Sequence, residues 1–300
     1  MLEIAQITDS VRRSAKPGAK LLLQVPEGLK TRAVEIIDAL GKHGFSTALS
    51  NDPCYGACDI RDGEARMLGC DMIVHVGHKR FYKPFRSGIP VLYIPFEIEA
   101  EYDRKELEKI REMRIGILST VNYAGMMESV ARDLKSMDKT AVIGGTVLGC
   151  NFQAMKDIDN RVDCFLFIGS GRFHATGIRT LFPVYVLDLE KNKVELMDKK
   201  EFDRIKRIVY AKMEKFREAR TVGILLSSKQ GQFFQDSQAL KKRVESTGKK
   251  CYLIVMDCIT RQGLMGLKID FFLNTACPRI AEDDLGKTVI NASDFLEFYG

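Results

Sequence analysis

Cysteine is the residue type most able to carry chemistry in this chain, which has Cys54, Cys58, Cys70, Cys150, Cys164, Cys251, Cys258 and Cys277. In a reducing cytosol each is a small core hydrophobe, a ligand or a nucleophile rather than half of a disulfide. Cys58 and Cys150 stand out. Each follows Gly and other small residues just ahead of a helix, in Asn51-Asp-Pro-Cys-Tyr-Gly-Ala-Cys58-Asp59 and Gly144-Gly-Thr-Val-Leu-Gly-Cys150-Asn151. Small residues allow close approach, and a helix N-terminus favours the thiolate that a metal needs. A third ligand is offered by Cys258 or by Cys277. Such a set is too dispersed for a zinc finger or a Cys-x-x-Cys redox motif, which are local. Three thiolates that leave a fourth position open suit a 4Fe-4S cluster with one exchangeable iron. Cys70, Cys164 and Cys251 lie in or beside apolar runs and read as core packing. Cys54, four residues before Cys58, is a spare.

A threefold repeat must position these thiols. Each unit opens with an apolar strand, Lys20 to Val25, Arg114 to Ser119 and Thr221 to Ser227. A helix follows near Thr31 to Lys42, Tyr123 to Met137 and Asp236 to Thr247, then a second strand at Phe45 to Ser50, Thr140 to Gly144 and Lys250 to Met256. The third strands align as Asp71-Met-Ile-Val-His-Val-Gly-His-Lys-Arg80, Asp163-Cys-Phe-Leu-Phe-Ile-Gly-Ser-Gly-Arg172 and Asp270-Phe-Phe-Leu-Asn-Thr-Ala-Cys-Pro-Arg279. Alternating strands and helices imply βαβ crossovers and a parallel sheet. The expectation is an α/β fold of three similar parallel-sheet domains, 1–100, 101–189 and 190–300, in pseudo-threefold arrangement around a central cluster site. Ligands gather beyond the carboxyl ends of such strands. Repeat position alone favours Cys258, after the second strand of its unit, whereas Cys277 ends a strand that should reach the centre. The highly charged stretches Glu97 to Arg114 and Glu190 to Arg220 carry helical spacing and read as solvated linking helices.

With 300 residues, 45% hydrophobic and 29% charged, the chain can bury more than one core. No apolar run approaches the ~20 residues that span a bilayer, and the N-terminus lacks the layout of a signal peptide, so a cytoplasmic protein with no membrane partner is expected. Most of the net charge of +6 falls between Glu190 and Arg220. A local basic helix therefore accounts for it better than a nucleic-acid surface. No Gly-Lys-Ser/Thr phosphate loop and no Gly-x-Ser-x-Gly elbow is present.

Gln24-Val-Pro-Glu-Gly-Leu29, Asp52-Pro-Cys-Tyr-Gly-Ala-Cys-Asp59, Leu148-Gly-Cys150 and Ala276-Cys-Pro-Arg279 resemble the archaeal family of the first step of diphthamide biosynthesis, 2-(3-amino-3-carboxypropyl)histidine synthase. The resemblance implies that Cys58, Cys150 and Cys277 hold a 4Fe-4S cluster, which decides between Cys258 and Cys277. It also implies S-adenosylmethionine as cosubstrate, radical transfer of its aminocarboxypropyl group to a histidine of translation elongation factor 2, a homodimer, and a small-protein or flavin electron donor. The Cys-x3-Cys-x2-Cys triplet of ordinary radical enzymes is absent.

The amino and carboxylate groups of S-adenosylmethionine need charged or amide partners, and its adenine a shallow apolar slot. Strand-end candidates are Gln24, Glu27, Gly77, His78, Gly169, Ser170 and Arg279. For Glu27 and Arg279 the structural alternative is an ion pair between domains, which Arg80 and Arg172 share. Competing functions are a quinolinate synthase-like 4Fe-4S enzyme, also built of three α/β domains, and a non-catalytic iron-sulfur or zinc sensor.

Overall fold

The computed structural model describes residues 3–80, 87–171, 175, 177, 178 and 180–299. Its apolar runs become strands of three sheets. Lys20–Gln24 (β1), Ser46–Ser50 (β2), Met72–Gly77 (β3) and Val91–Pro95 (β4) form the first, in the order β2-β1-β3-β4. Arg114–Ser119 (β5), Thr140–Thr146 (β6), Cys164–Gly169 (β7), Val184–Asp188 (β8) and Lys193–Leu196 (β9) form the second, β6-β5-β7-β8-β9. Thr221–Ser227 (β10), Lys250–Met256 (β11), Phe271–Asn274 (β12) and Val289–Asn291 (β13) form the third, β11-β10-β12-β13. Every pairing is parallel except β8 with β9. The shared order reverses direction between the first and third strand of each sheet, and such a reversal opens a crevice at the carboxyl ends. The chain divides into two compact units: Met1–Met197 carries the first two sheets, and Asp198–Gly300 the third.

The central strands are apolar on both faces because both are covered. Leu21 and Leu23 pack with Ile36 and Leu40 of the helix Ala33–Lys42 and with Ile7 and Val11 of the helix Ile4–Ser14. Leu22 points the other way, onto Ile60, Ala65, Cys70 and Ile73. Each such leucine contributes ~1.5–3 kcal/mol by burial. All six residues of β7 and all four of β12 are buried, so the pattern recurs in the other two sheets.

The repeated aspartate has one job in all three sheets. Asp71 accepts a hydrogen bond from the backbone N–H of Lys20 at 2.8 Å, Asp163 from that of Arg114 at 3.2 Å, and Asp270 from those of Thr221 at 2.9 Å and Arg220 at 3.0 Å. It ties the start of the third strand to the start of the first. Arg172, its partner in the repeat pattern, lies outside the described residues.

The two charged stretches differ from the expected helices. Residues 96–103 form neither helix nor strand and are followed by a short 3-10 turn, Arg104–Lys109. Ile98, Ala100 and Tyr102 alternate against the second core, a period of two rather than 3.6. Their backbone is held by neighbouring loops: Ile98 N–H donates to Asn122 O at 2.6 Å, and Asn122 Nδ2 to Phe96 O at 2.8 Å. In the second stretch, Lys193–Leu196 is an antiparallel strand. Asp188 accepts from the N–H groups of Glu190 and Lys191, and Asn192 takes a left-handed φ of 51°, which closes the hairpin. The helix itself runs from Lys199 to Glu218 and buries Met213 and Phe216, while Ile205 and Ile208 stay exposed. No helix of the described residues is long and apolar enough to cross a membrane.

Candidate metal and ligand site at the strand ends

Three cysteines sit on loops beyond the carboxyl ends of strands. Cys58 follows β2 in a turn closed by a bond from Asp59 N–H to Gly56 O at 3.0 Å. Two devices fix this loop. Gln24, fully buried at the end of β1, donates from Nε2 to Asp59 O at 2.5 Å. Arg61, its side chain only 10% exposed, forms ion pairs with buried Asp59 at 3.3 Å and with Asp52 at 3.6 Å, and it also reaches Pro53 O. One guanidinium thus holds both ends of the segment that carries Cys54 and Cys58.

Cys150 sits at the tip of a tight turn. Leu148 and Asn151 exchange backbone hydrogen bonds of 3.0 and 2.9 Å, leaving Gly149 and Cys150 between them. The approach to this turn is the last part of β6, where the register with β5 shifts at Gly144 and Gly145 and the chain makes its exit from the regular ladder. A Cβ on Gly144 would stand 2.7 Å from Ile158 and 3.0 Å from Ala154 O, and Gly145 has φ +118°. Only glycine fits that exit.

Cys277 follows β12 and starts the 3-10 turn Pro278–Glu282. Asn274, 2% exposed at the strand end, donates from Nδ2 to Cys277 O at 2.8 Å and accepts at Oδ1 from Ala276 N–H at 3.1 Å. Asn274 Nδ2 also reaches Asn291 of β13 at 2.8 Å. It plays the part in the second unit that Gln24 plays in the first.

The thiols divide by environment. Cys58 and Cys277 are half-buried and Cys150 is exposed, so each can meet a ligand. Cys70, Cys164 and Cys251 are buried, and burial pushes their thiols up, to about 12 for Cys164 and about 11 for Cys251. Thiols in those cores resist becoming the thiolates that iron needs. Accessible soft donors on glycine-rich or amide-braced loops fit an iron-sulfur cluster. Cys258 is half-buried, 3.5 Å from Asp257 Oδ2, and Cys54 is buried.

The other candidates lie as follows. Glu27 is exposed at the start of the 3-10 turn Glu27–Arg32 and pairs with Lys30 at 2.8 Å. Lys30 also donates to Asn51 O, which joins this motif to the Cys58 loop. Gly77 has φ +100°, and a Cβ there would meet Pro26 at 2.9 Å, so the end of β3 lies against the Pro26-Glu27 motif. His78 half-emerges beside it. Gly169 is buried against Phe167 and Ser170 is exposed. Arg279 and Arg80 are exposed. Burial raises the Glu282 carboxyl, and Arg279 partly offsets this. A cavity of about 650 Å³ in the first unit is lined by Gln6, Phe96, Glu97, Glu99 and Met126 among others, and none of the candidates borders it.

His75 was not singled out by sequence reasoning. It lies fully buried in β3, its Nδ1 3.3 Å from Gln24 Oε1 and its Nε2 3.0 Å from His78 Nδ1. Burial, and for His75 the neighbouring His78, holds the rings down to about 3 and about 4, so both are neutral at physiological pH. Asn274 occupies the same repeat position. The available signal was a polar residue interrupting an apolar strand at the same place in two repeats.

Residues 25–293 match the model of the diphthamide synthesis protein family. The chain is 29% identical over 304 residues to 2-(3-amino-3-carboxypropyl)histidine synthase of Pyrococcus horikoshii, covering 95% of this chain and 86% of that one. It is 30% identical over 288 residues to subunit 1 of the enzyme so named in Saccharomyces cerevisiae, covering 88% of this chain and 66% of that longer one. Its structure is similar to the crystal structure of Dph2 from Pyrococcus horikoshii, with a TM-score of 0.89, 26% identity and coverage of 100% of this chain and 91% of that chain. The crystal structure of that Dph2 with a 4Fe-4S cluster gives a TM-score of 0.87 at the same identity and coverage. With the family model spanning most of its length, this chain belongs to the diphthamide synthesis proteins.

Proposed function

We propose that this protein transfers the 3-amino-3-carboxypropyl group of S-adenosylmethionine to a histidine of translation elongation factor 2, the first step of diphthamide synthesis. The observation that carries this reading is the placement of accessible thiols, Cys58, Cys150 and Cys277, on strand-end loops of one sheet each, in a chain of this family. They are the proposed ligands of a 4Fe-4S cluster, which would supply the electron that opens the bond between the sulfonium and the aminocarboxypropyl carbon, with methylthioadenosine leaving; joining that carbon to the imidazole then releases one ring proton and returns one electron. The chain's own residues do the rest of the work. Glu27 and Arg279 offer opposite charges for the amino and carboxylate groups of the substrate. Gly77 and Gly169, at their strand ends, are the proposed backbone contacts, and His78 and Ser170 the proposed polar ones. Gln24 fixes the Cys58 loop through Asp59. The proposed setting is a cytoplasmic homodimer of three α/β domains served by a small-protein or flavin electron donor.

The test uses reduced protein, carboxyl-labelled S-adenosylmethionine and archaeal elongation factor 2. Label should appear on the factor. No transfer, together with turnover of iminoaspartate and dihydroxyacetone phosphate, would replace this reading with the quinolinate synthase-like one.

A further inference from the structure

The first sheet brings together three metal-ligating side chains outside the three-cysteine set, of which only His78 has a part in the proposed function, as a polar contact. Cys54, His75 and His78 each offer a ligand atom, and these atoms lie within 4.8 Å of one another. Cys54 and His75 are buried and His78 is half-buried. Two of the three come from the end of β3, and the third from the loop braced by Arg61.

Hydrogen bonding fixes which nitrogen of His75 is open. Gln24 Nε2, a donor only, binds Asp59 O, so the amide is oriented with Oε1, an acceptor only, towards His75 Nδ1. Nδ1 therefore carries the ring proton and Nε2 carries the lone pair. That lone pair faces His78 Nδ1 at 3.0 Å. A metal-bound histidine is normally held in this way, its other ring nitrogen donating to a fixed oxygen. Tetrahedral zinc, with bonds of ~2.3 Å to sulfur and ~2.0–2.1 Å to nitrogen, separates its ligand atoms by roughly 3.4–3.6 Å. The two nitrogens need to part by a few tenths of an ångström, and the thiol to close by roughly 1.2–1.4 Å at most. The repeat adds an independent observation. His78 stands at the position that Cys277 occupies in the third repeat, and His75 at that of Asn274, so the first sheet places donors where the third places a proposed cluster ligand and its brace.

We propose that Cys54, His75 and His78 form a second metal site, separate from the three-cysteine set, for a borderline divalent cation of the Zn2+ class. One thiolate and two neutral imidazoles select that class over hard cations such as Mg2+. The fourth position takes water or an exogenous ligand. Metal binding expels the Cys54 thiol proton to solvent, shifts the His78 ring proton from Nδ1 to Nε2 so that Nδ1 can ligate, and pins the loop four residues ahead of Cys58. This inference does not rest on the proposed transferase activity.

Co2+ serves as the probe, added to metal-stripped protein carrying Cys58→Ala, Cys150→Ala and Cys277→Ala, which cannot use the cluster thiols. One equivalent should bind with a thiolate-to-cobalt charge-transfer band and d–d bands of tetrahedral intensity, and excess Zn2+ should displace it. Adding Cys54→Ser should abolish the charge-transfer band. Adding Gln24→Leu should keep the spectrum but weaken binding ~10–100-fold, because the partner that orients His75 and one brace of the Cys54 loop are lost. A folded triple variant that binds no cobalt, or a charge-transfer band that survives Cys54→Ser, overturns the site. If the triple variant does not fold, the wild-type chain is compared with Cys54→Ser alone: loss of one cobalt equivalent supports the site, and an unchanged stoichiometry overturns it. Label transfer plays no part in these readouts, so this inference and the proposed function fail separately.

Discussion

The amino and carboxyl ends of the three sheets follow different rules. At the amino ends the repeat is uniform: Asp71, Asp163 and Asp270 each accept from the backbone at the start of the neighbouring first strand. At the carboxyl ends it diverges. The equivalent strand positions hold His75, Phe167 and Asn274, and those three residues further on hold His78, Ser170 and Cys277. One end solves a folding problem common to all three copies, aligning a parallel pair at its origin. The other is where ligands meet an open parallel sheet, so each copy is specialised there. Substitutions at the two ends should therefore separate stability from chemistry.

The largest stability effect is expected at Arg61. Arg61→Ala removes the guanidinium that faces buried Asp59 and ties Asp52 and Pro53, at a cost on the order of 3 kcal/mol. Thermal melting should show the loss, and iron retention after reconstitution should fall with it. A variant that melts lower but retains full iron would break the link between this brace and the Cys58 loop.

Asn274→Ala should cost about 1–3 kcal/mol, because the Ala276 N–H and the Cys277 carbonyl each lose their Asn274 partner. Its distinguishing effect is on chemistry. The electron paramagnetic resonance line shape of the reconstituted protein should change, since the main chain of Cys277 is no longer held. An unaltered line shape would make Asn274 a purely structural residue.

The smallest effect belongs to the amino ends. Asp163 is held below the usual carboxylate value first by the Arg114 side chain, and Asp270 first by the Thr221 hydroxyl and then by backbone N–H groups. A carboxylate with a lowered folded pKa adds stability above its unfolded value of 3.8 and loses it as the pH falls through the folded value. Asp270→Asn should therefore flatten the drop in Tm between ~pH 5 and ~pH 2 while leaving label transfer at neutral pH unchanged. Impaired transfer would mean that the amino end also serves the chemistry.

The uniform end was the more legible in sequence. Buried central strands announce themselves as unbroken apolar runs, and the third-strand alignment exposed the aspartate register before any contact was visible. Sheet edges were harder. β13 has three residues, and β9 lies inside a charged run that reads as helix until the Asp188 turn is seen to close it. Residues 96–103 misled because charge suggested a solvated helix, whereas Ile98, Ala100 and Tyr102 alternate against a core. At the carboxyl ends the cysteines were visible by type. Their bracing was not, because Gln24 acts on Asp59, 35 residues on, while Arg61 and Asn274 act through loop turns that only the folded backbone defines, and the His75–His78 pair exists only once β3 brings the rings together near Gln24.

The most direct test of specialised strand ends is the electron paramagnetic resonance spectrum of anaerobically reconstituted, reduced protein, with and without S-adenosylmethionine. The wild-type chain should show a 4Fe-4S signal that shifts on adding S-adenosylmethionine, and Cys58→Ala, Cys150→Ala and Cys277→Ala should each abolish it. An intact signal in those variants, or loss of the signal on replacing the core residue Cys164 in a chain that still folds, would contradict the assignment of the chemistry to these three loops.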